Sequence, residues 1–209
     1  TPKNVKYNIF KRINTGGLVL TSQEIRNALY QGKATKFLVK LSQNRNFLIA
    51  TSNSIKTNRM LDREFCLRYI AFTKITLDKY NNSIDDFLIL AMEFLNESED
   101  QSLEEYYHEF QNTMNVVYRI FGKYSFRKLR SDQRRTPINK AIFEGWSVVI
   151  SKLTEVEQNK LIQNSEVICN RFTKICEESS SFNNYIKAND KNSIKNRLEI
   201  FNDIICEVL

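Results

Sequence analysis

Histidine occurs once in the 209 residues, at His108. That scarcity removes every site built on several imidazoles, His-x-x-x-His zinc sites and His-Asn-His nucleases among them. His108 follows two tyrosines in an acidic stretch, where a solvated or packed ring is the ordinary outcome, and no role is assigned to it. Five glycines and two prolines leave few places for tight turns, and the hairpin dipeptides Asn-Gly and Asp-Gly are missing. No G-x-x-x-x-G-K-[ST] phosphate loop occurs. No apolar run approaches the ~18 residues of a membrane span; the best, Phe87 to Leu95, is short and contains Glu93. The four cysteines, Cys66, Cys169, Cys176 and Cys206, are widely spaced with no C-x-x-C pair, so they read as reduced core thiols of a cytoplasmic protein. Thr1-Pro2-Lys3 has no initiator Met, no apolar signal core and no cleavage site, and reads as a cut end.

What is present is the composition of a folded chain, 42% hydrophobic and 26% charged. The expected fold class is all-α, a multi-helix bundle-like domain. Its joints are written as capping boxes, in which a hydroxyl and a carboxylate three residues on satisfy free backbone N–H groups. Thr21 with Glu24, Ser102 with Glu105 and Thr154 with Glu157 match, and Ser83 with Asp86 is a weaker version. Apolar residues recur at helical spacing after each start: Ile25 and Leu29, then Ile84, Phe87, Leu88, Ala91 and Leu95, then Leu103 to Val117. Gly32 and Gly122 are placed to end helices. Pro137 is expected as the first residue of a helix through Leu153, with Gly145 marking close packing in its middle. Further helices are expected over about 155–177 and 192–209, and loops over 51–58, 96–102, 130–136 and 178–192, where Ser179-Ser180-Ser181 is the most linker-like.

The most informative stretch is Tyr7 to Thr21. Val5, Ile9 and Ile13 mark one helical face, and Asn14-Thr15-Gly16-Gly17 then makes a turn rich in free N–H groups beside Arg12. Such a turn is either a helix C-cap and loop or a cradle for an anion. The string Ile9-Phe10-Lys11-Arg12-Ile13-Asn14-Thr15-Gly16-Gly17, followed by Leu20-Thr21 and Gln23 to Ala28, resembles the F-x-x-x-N-x-x-G signature of GmrSD-type bacterial proteins. These are ParB/sulfiredoxin-like nucleotidases of modification-dependent restriction and phage defence. The resemblance continues through Arg59, Asp62 and Leu67-Arg68, through Phe121 to Lys128 and through Pro137 to Glu144, covering roughly residues 5–150.

The resemblance implies a remnant of a ParB-like nucleotidase domain in residues 1–20 and a helical domain in 21–209. Phe10, Asn14 and Gly17 carry over as motif residues, and with Arg12, Thr15 and Gly16 they are the nucleotide-binding candidates. The family's nucleotidase centre also needs an Asp-Gly-Gln-Gln-Arg signature, which this chain lacks. No cofactor is therefore expected in this chain alone, and ATP or GTP only together with the family's N-terminal part. The implied function is a nucleic-acid-binding or signal-relay portion of a GmrSD-like defence protein, catalytically incomplete alone. The alternative is a protein-interaction or scaffold domain. Expected partners are DNA, a partner protein or the N-terminal domain, with no membrane.

Charge is unevenly distributed. Asn81 to Phe110 holds nine carboxylates and no Lys or Arg, whereas Lys123, Arg127, Lys128, Arg130, Arg134, Arg135 and Lys140 face only Asp132 in their segment. With Tyr124 and Phe126 interleaved, this pattern suits phosphate-backbone contact. A solvated basic face, or pairing with the acidic helices, fits it equally. Arg68 shares a helical stripe with Leu61, Phe65 and Phe72 and so needs an anion in the core. Glu64 one turn earlier is the near partner, with a distant carboxylate or a bound phosphate as the alternatives.

Overall fold

The computed structural model describes residues 3–13 and 19–209, and among these the regular structure is helical. A first group comprises α1 (Lys3–Ile13), α2 (Ser22–Leu29), α3 (Lys33–Ser42), α4 (Arg45–Ala50), α5 (Leu61–Lys74), α6 (Ile84–Glu97) and α7 (Asp100–Phe121). After an irregular excursion come α8 (Lys140–Ser151), α9 (Glu155–Gln163), α10 (Ser165–Glu178), α11 (Ser180–Tyr185) and α12 (Lys191–Cys206). The all-α expectation holds. The β-type pairing among the described residues is an isolated antiparallel bridge between Arg127 and Ile138.

The helix α8 is the axis of the molecule. Every residue from Ala141 to Ile150 is buried, which a helix can sustain only when it is covered on all sides. The covering helices are α5, α7 and α12. Gly145 permits a close approach of α12, since a Cβ there would lie 2.1 Å from the ring of Phe201. Trp146, the next residue, meets Phe121, Phe172 and Phe201 at centroid distances of 4.8, 5.2 and 4.8 Å. Each such pair adds about 0.5–1.5 kcal/mol to the burial of its apolar area.

A buried ion network ties α8 to two of these helices, α5 and α12. Glu144 of α8 accepts from Arg68 of α5 through one oxygen and from Arg197 of α12 through the other. Arg68 also reaches Glu64 at 2.9 Å, and Lys140 reaches Glu64 at 2.8 Å. The expected partner of Arg68 is thus present, and the distant carboxylate is present as well. Burial pushes the Glu64 carboxyl up, but Arg68 and Lys140 outweigh it and hold the group below its usual range.

Thr21 and Thr154 form full capping boxes, and Ser83 accepts from the Asp86 N–H without the reciprocal bond. Ser102 does not cap: α7 opens at Asp100, a turn early, where Lys33 meets Asp100 at 2.7 Å. Pro137 lies outside α8, because Asn139 takes the cap and accepts from the N–H groups of Ala141 and Ile142. Gly122 ends α7, but Gly32 stands at the entrance of α3 and α2 ends at Leu29. The helix expected over 155–177 is broken at Asn164. The stretch 178–192 contains α11, for which Ser179 is the N-cap and in which Phe182 is fully buried, so it is no linker. Between α6 and α7 the loop shrinks to two residues, Ser98 and Glu99. Cys206 is exposed rather than in the core; Cys66 and Cys176 are buried and Cys169 partly so, all as free thiols. No helix among the described residues is long and apolar enough to cross a membrane.

Candidate nucleic-acid interface

The excursion between α7 and α8 carries the basic segment, and short-range bonds fix its shape. Gly122 ends α7, and Ser125 turns the chain by donating from its hydroxyl to the Gly122 carbonyl at 2.7 Å. Phe126 has a left-handed backbone, φ 62°, costly for a bulky residue, and is held there with its ring 4.7 Å from that of Phe143. The ends of the excursion are tied where the Asn139 N–H donates to the Phe126 carbonyl at 2.9 Å, and higher up by the Thr136 hydroxyl on the Lys128 carbonyl at 2.9 Å. Its tip is anchored to α10: both the N–H and the hydroxyl of Ser131 donate to Glu177 at 3.0 Å.

The seven cations of this segment have different fates. Lys140 pairs with Glu64, and Arg130 pairs with Asp132 at 3.2 Å. Lys128 donates to Asn183, and the Lys123 ammonium lies over the Tyr124 ring at 5.2 Å. Arg134 is exposed; its backbone N–H bonds to Asp132, and its charge also acts on that carboxylate. Arg127 is 5% exposed and meets no carboxylate among the described residues. Its guanidinium donates to the Thr136 carbonyl and, at 2.8 Å, to the Ser54 hydroxyl oxygen, while its Nε has no partner. Arg135 donates to the same Ser54 oxygen at 3.1 Å. Burial first, and then the Arg135 charge, lower the pKa of Arg127, which at arginine's basicity leaves it charged.

Acidic residues are directed elsewhere. Asp85 binds Lys11 and Arg26, Asp100 binds Lys33, Glu104 binds Lys40 and Glu109 binds Lys74. Among the described residues no ion pair joins the stretch 81–110 to the segment 123–140, so the acidic helices do not neutralise it.

A cleft of about 780 Å³ opens beside the segment, between it and α10, with Tyr124, Leu129, Arg130, Cys169 and Lys174 in its wall. Burial pushes the Cys169 thiol up to about 11, so it stays protonated at neutral pH and is no ready nucleophile. Groups of three or more His, Cys, Asp or Glu placed to hold a metal do not occur among the described residues.

The nucleotide-binding candidates are placed only in part. Phe10 and Arg12 are exposed on α1, whereas Asn14, Thr15, Gly16 and Gly17 lie outside the described residues. The marked face of α1, Val5, Ile9 and Ile13, is exposed too. α1 docks instead through Tyr7, fully buried, whose hydroxyl accepts from Arg26 at 3.4 Å.

Sequence reasoning missed Ser54 and the Glu144–Arg197 pair. Ser54 sits in an ordinary polar loop with no signal. Glu144 did carry one, a lone carboxylate inside the apolar run Ala141 to Ile150.

No protein-family model, curated protein or solved structure matches the chain.

Proposed function

We propose that this chain binds duplex DNA through its phosphate backbone, as the helical portion of a GmrSD-like bacterial defence protein that is catalytically incomplete on its own. One observation carries the binding: among the described residues five of the segment's seven cations form no ion pair with a carboxylate, while carboxylates of the acidic helices pair with lysines and arginines of the N-terminal half. Ion pairs within a fold would have neutralised these charges, and an anionic polymer is the partner such a surface suits. The family setting rests on the string from Ile9 to Gly17, and restriction, phage defence and nucleotide sensing belong to that setting. Contacts made by phosphate alone give weak, sequence-independent affinity.

The test is fluorescence anisotropy with a labelled duplex across a salt series. Log affinity is expected to fall with log salt by about 0.9 per phosphate contact. Replacing Lys123, Arg134 and Arg135 with Ala is expected to flatten that slope with helical content unchanged. No binding by the wild type at low salt, or a slope untouched by the triple change, overturns the proposal. A protein-interaction domain is the second reading, favoured by the exposed Val5, Ile9, Phe10 and Ile13 on α1. Indifference to DNA together with a stable, stoichiometric protein complex would favour it.

A further inference from the structure

We infer that Ser54, Arg127 and Arg135 form a preformed site for a single oxyanion of the phosphate class. The inference deepens the DNA-binding reading and rests on it for the source of the anion.

Four arginines are buried among the described residues. Three of them meet carboxylates: Arg26 meets Asp85, Arg68 meets Glu64 and Glu144, and Arg197 meets Glu144. Arg127 is the exception. A guanidinium withdrawn from water without an anion is costly, and this one is set beside a second guanidinium rather than an acid. Arg127 and Arg135 donate to one hydroxyl oxygen at 2.8 and 3.1 Å, which brings two positive charges together. The Ser54 oxygen accepts from both and its own O–H donates to the Ser52 carbonyl at 3.4 Å, so the hydroxyl holds the two guanidinium groups together. Ser54 and Arg135 are exposed, so the group opens to solvent with Arg127 as its floor.

Both walls are set before any ligand arrives. The Ser54 N–H donates to the Thr51 carbonyl at 3.0 Å and the Asn53 N–H to the Leu48 carbonyl at 2.9 Å, which ties the loop to the end of α4. Arg127 is aimed by the left-handed Phe126 and by its bond to Thr136. Two planar forks held side by side by one hydroxyl match a tetrahedral oxyanion with several acceptor oxygens better than a planar carboxylate. The phosphodiester of a duplex and a free phosphate share that chemistry.

Isothermal titration of the whole chain with inorganic phosphate in low-salt chloride buffer tests the site, with acetate as the control anion. One saturable site is expected, with sulfate competing and acetate not. Arg135→Ala and Ser54→Ala, both at exposed positions, are expected to weaken phosphate binding by about tenfold or more, the worth of a charge-assisted hydrogen bond. Lys195→Ala, at an exposed position on α12, is expected to leave it unchanged. Absence of a saturable site in the folded wild type overturns the inference, as does binding that both variants leave intact. The duplex titration separates the two readings. Duplex binding without a phosphate site overturns this inference and spares the function, whereas phosphate binding without duplex binding supports the site, assigns it to free phosphate and overturns the DNA reading.

Discussion

Arg197 and Arg127 are both buried, and the two regions that hold them are built on opposite rules. Beneath α5, α8 and α12, Arg197 meets Glu144, donates to the carbonyls of Tyr185 and Ala188, and closes a network with Arg68. In the excursion before α8, Arg127 has a carbonyl, a hydroxyl and a second arginine. Both guanidinium groups leave a buried Nε without a partner, but the first region supplies its arginines with a carboxylate from within the chain and the second does not. Burial of charge is therefore no single signal in this molecule: the partner, and not the depth, separates a structural arginine from a binding one.

The strongest way to break that contrast is to replace each arginine with Met. Arg197→Met leaves the Glu144 carboxylate half-paired in the core and is expected to cost about 3–5 kcal/mol in urea unfolding. Arg127→Met strands no acid and gives up charge-assisted bonds to neutral acceptors while removing its repulsion with Arg135, so a smaller loss of about 1–2 kcal/mol is expected. Equal losses for the two variants would show that Arg127 is also part of the structural frame.

A smaller effect tests the packing that the network braces. Gly145→Ala places a methyl group 2.1 Å from the Phe201 ring and must push α12 from α8. Overpacking of this kind is expected to cost about 1–3 kcal/mol. Phe201→Leu in the same chain should restore part of it, and a melting temperature unmoved by Gly145→Ala would mean that the helices have room to part.

The same contrast explains what the sequence disclosed. Caps at Thr21 and Thr154 and the close approach at Gly145 were legible because each is a local rule: a hydroxyl three residues from a carboxylate, a missing side chain in an apolar helix. Ser102 followed the same local pattern and failed, since α7 already begins at Asp100 with Glu99 in the cap position. Asn164 broke an expected helix without glycine or proline to announce it. The seven cations of the basic segment look alike in sequence. Their separate fates depend on a left-handed Phe126 and on Ser54, 73 residues away from Arg127. The acid–base balance of the segment was readable; which arginine would be left without an acid was not.

The smallest expected effect lies at the third buried arginine, Arg26, and is set by pH. Arg26 is completed by Asp85 at 2.8 Å and by Gln23 at 2.9 Å, and Lys11 of α1 joins the same carboxylate. Burial raises the Asp85 pKa, but the hydrogen bond from Lys11 and the charge of Arg26 pull it further down, so the folded value lies below the ordinary 3.8. A depressed carboxyl stabilises the fold fully at pH well above its unfolded value and loses that contribution as pH falls through the folded one. Melting temperature should therefore hold steady near neutrality and drop below about pH 4, partly through this group. Asp85→Asn removes the charge at every pH, so its deficit against wild type should be largest near pH 7 and shrink toward zero in acid. A deficit of constant size from pH 7 down to acid would mean that the amide's shape, and not the lost charge, is what Arg26 and Lys11 feel.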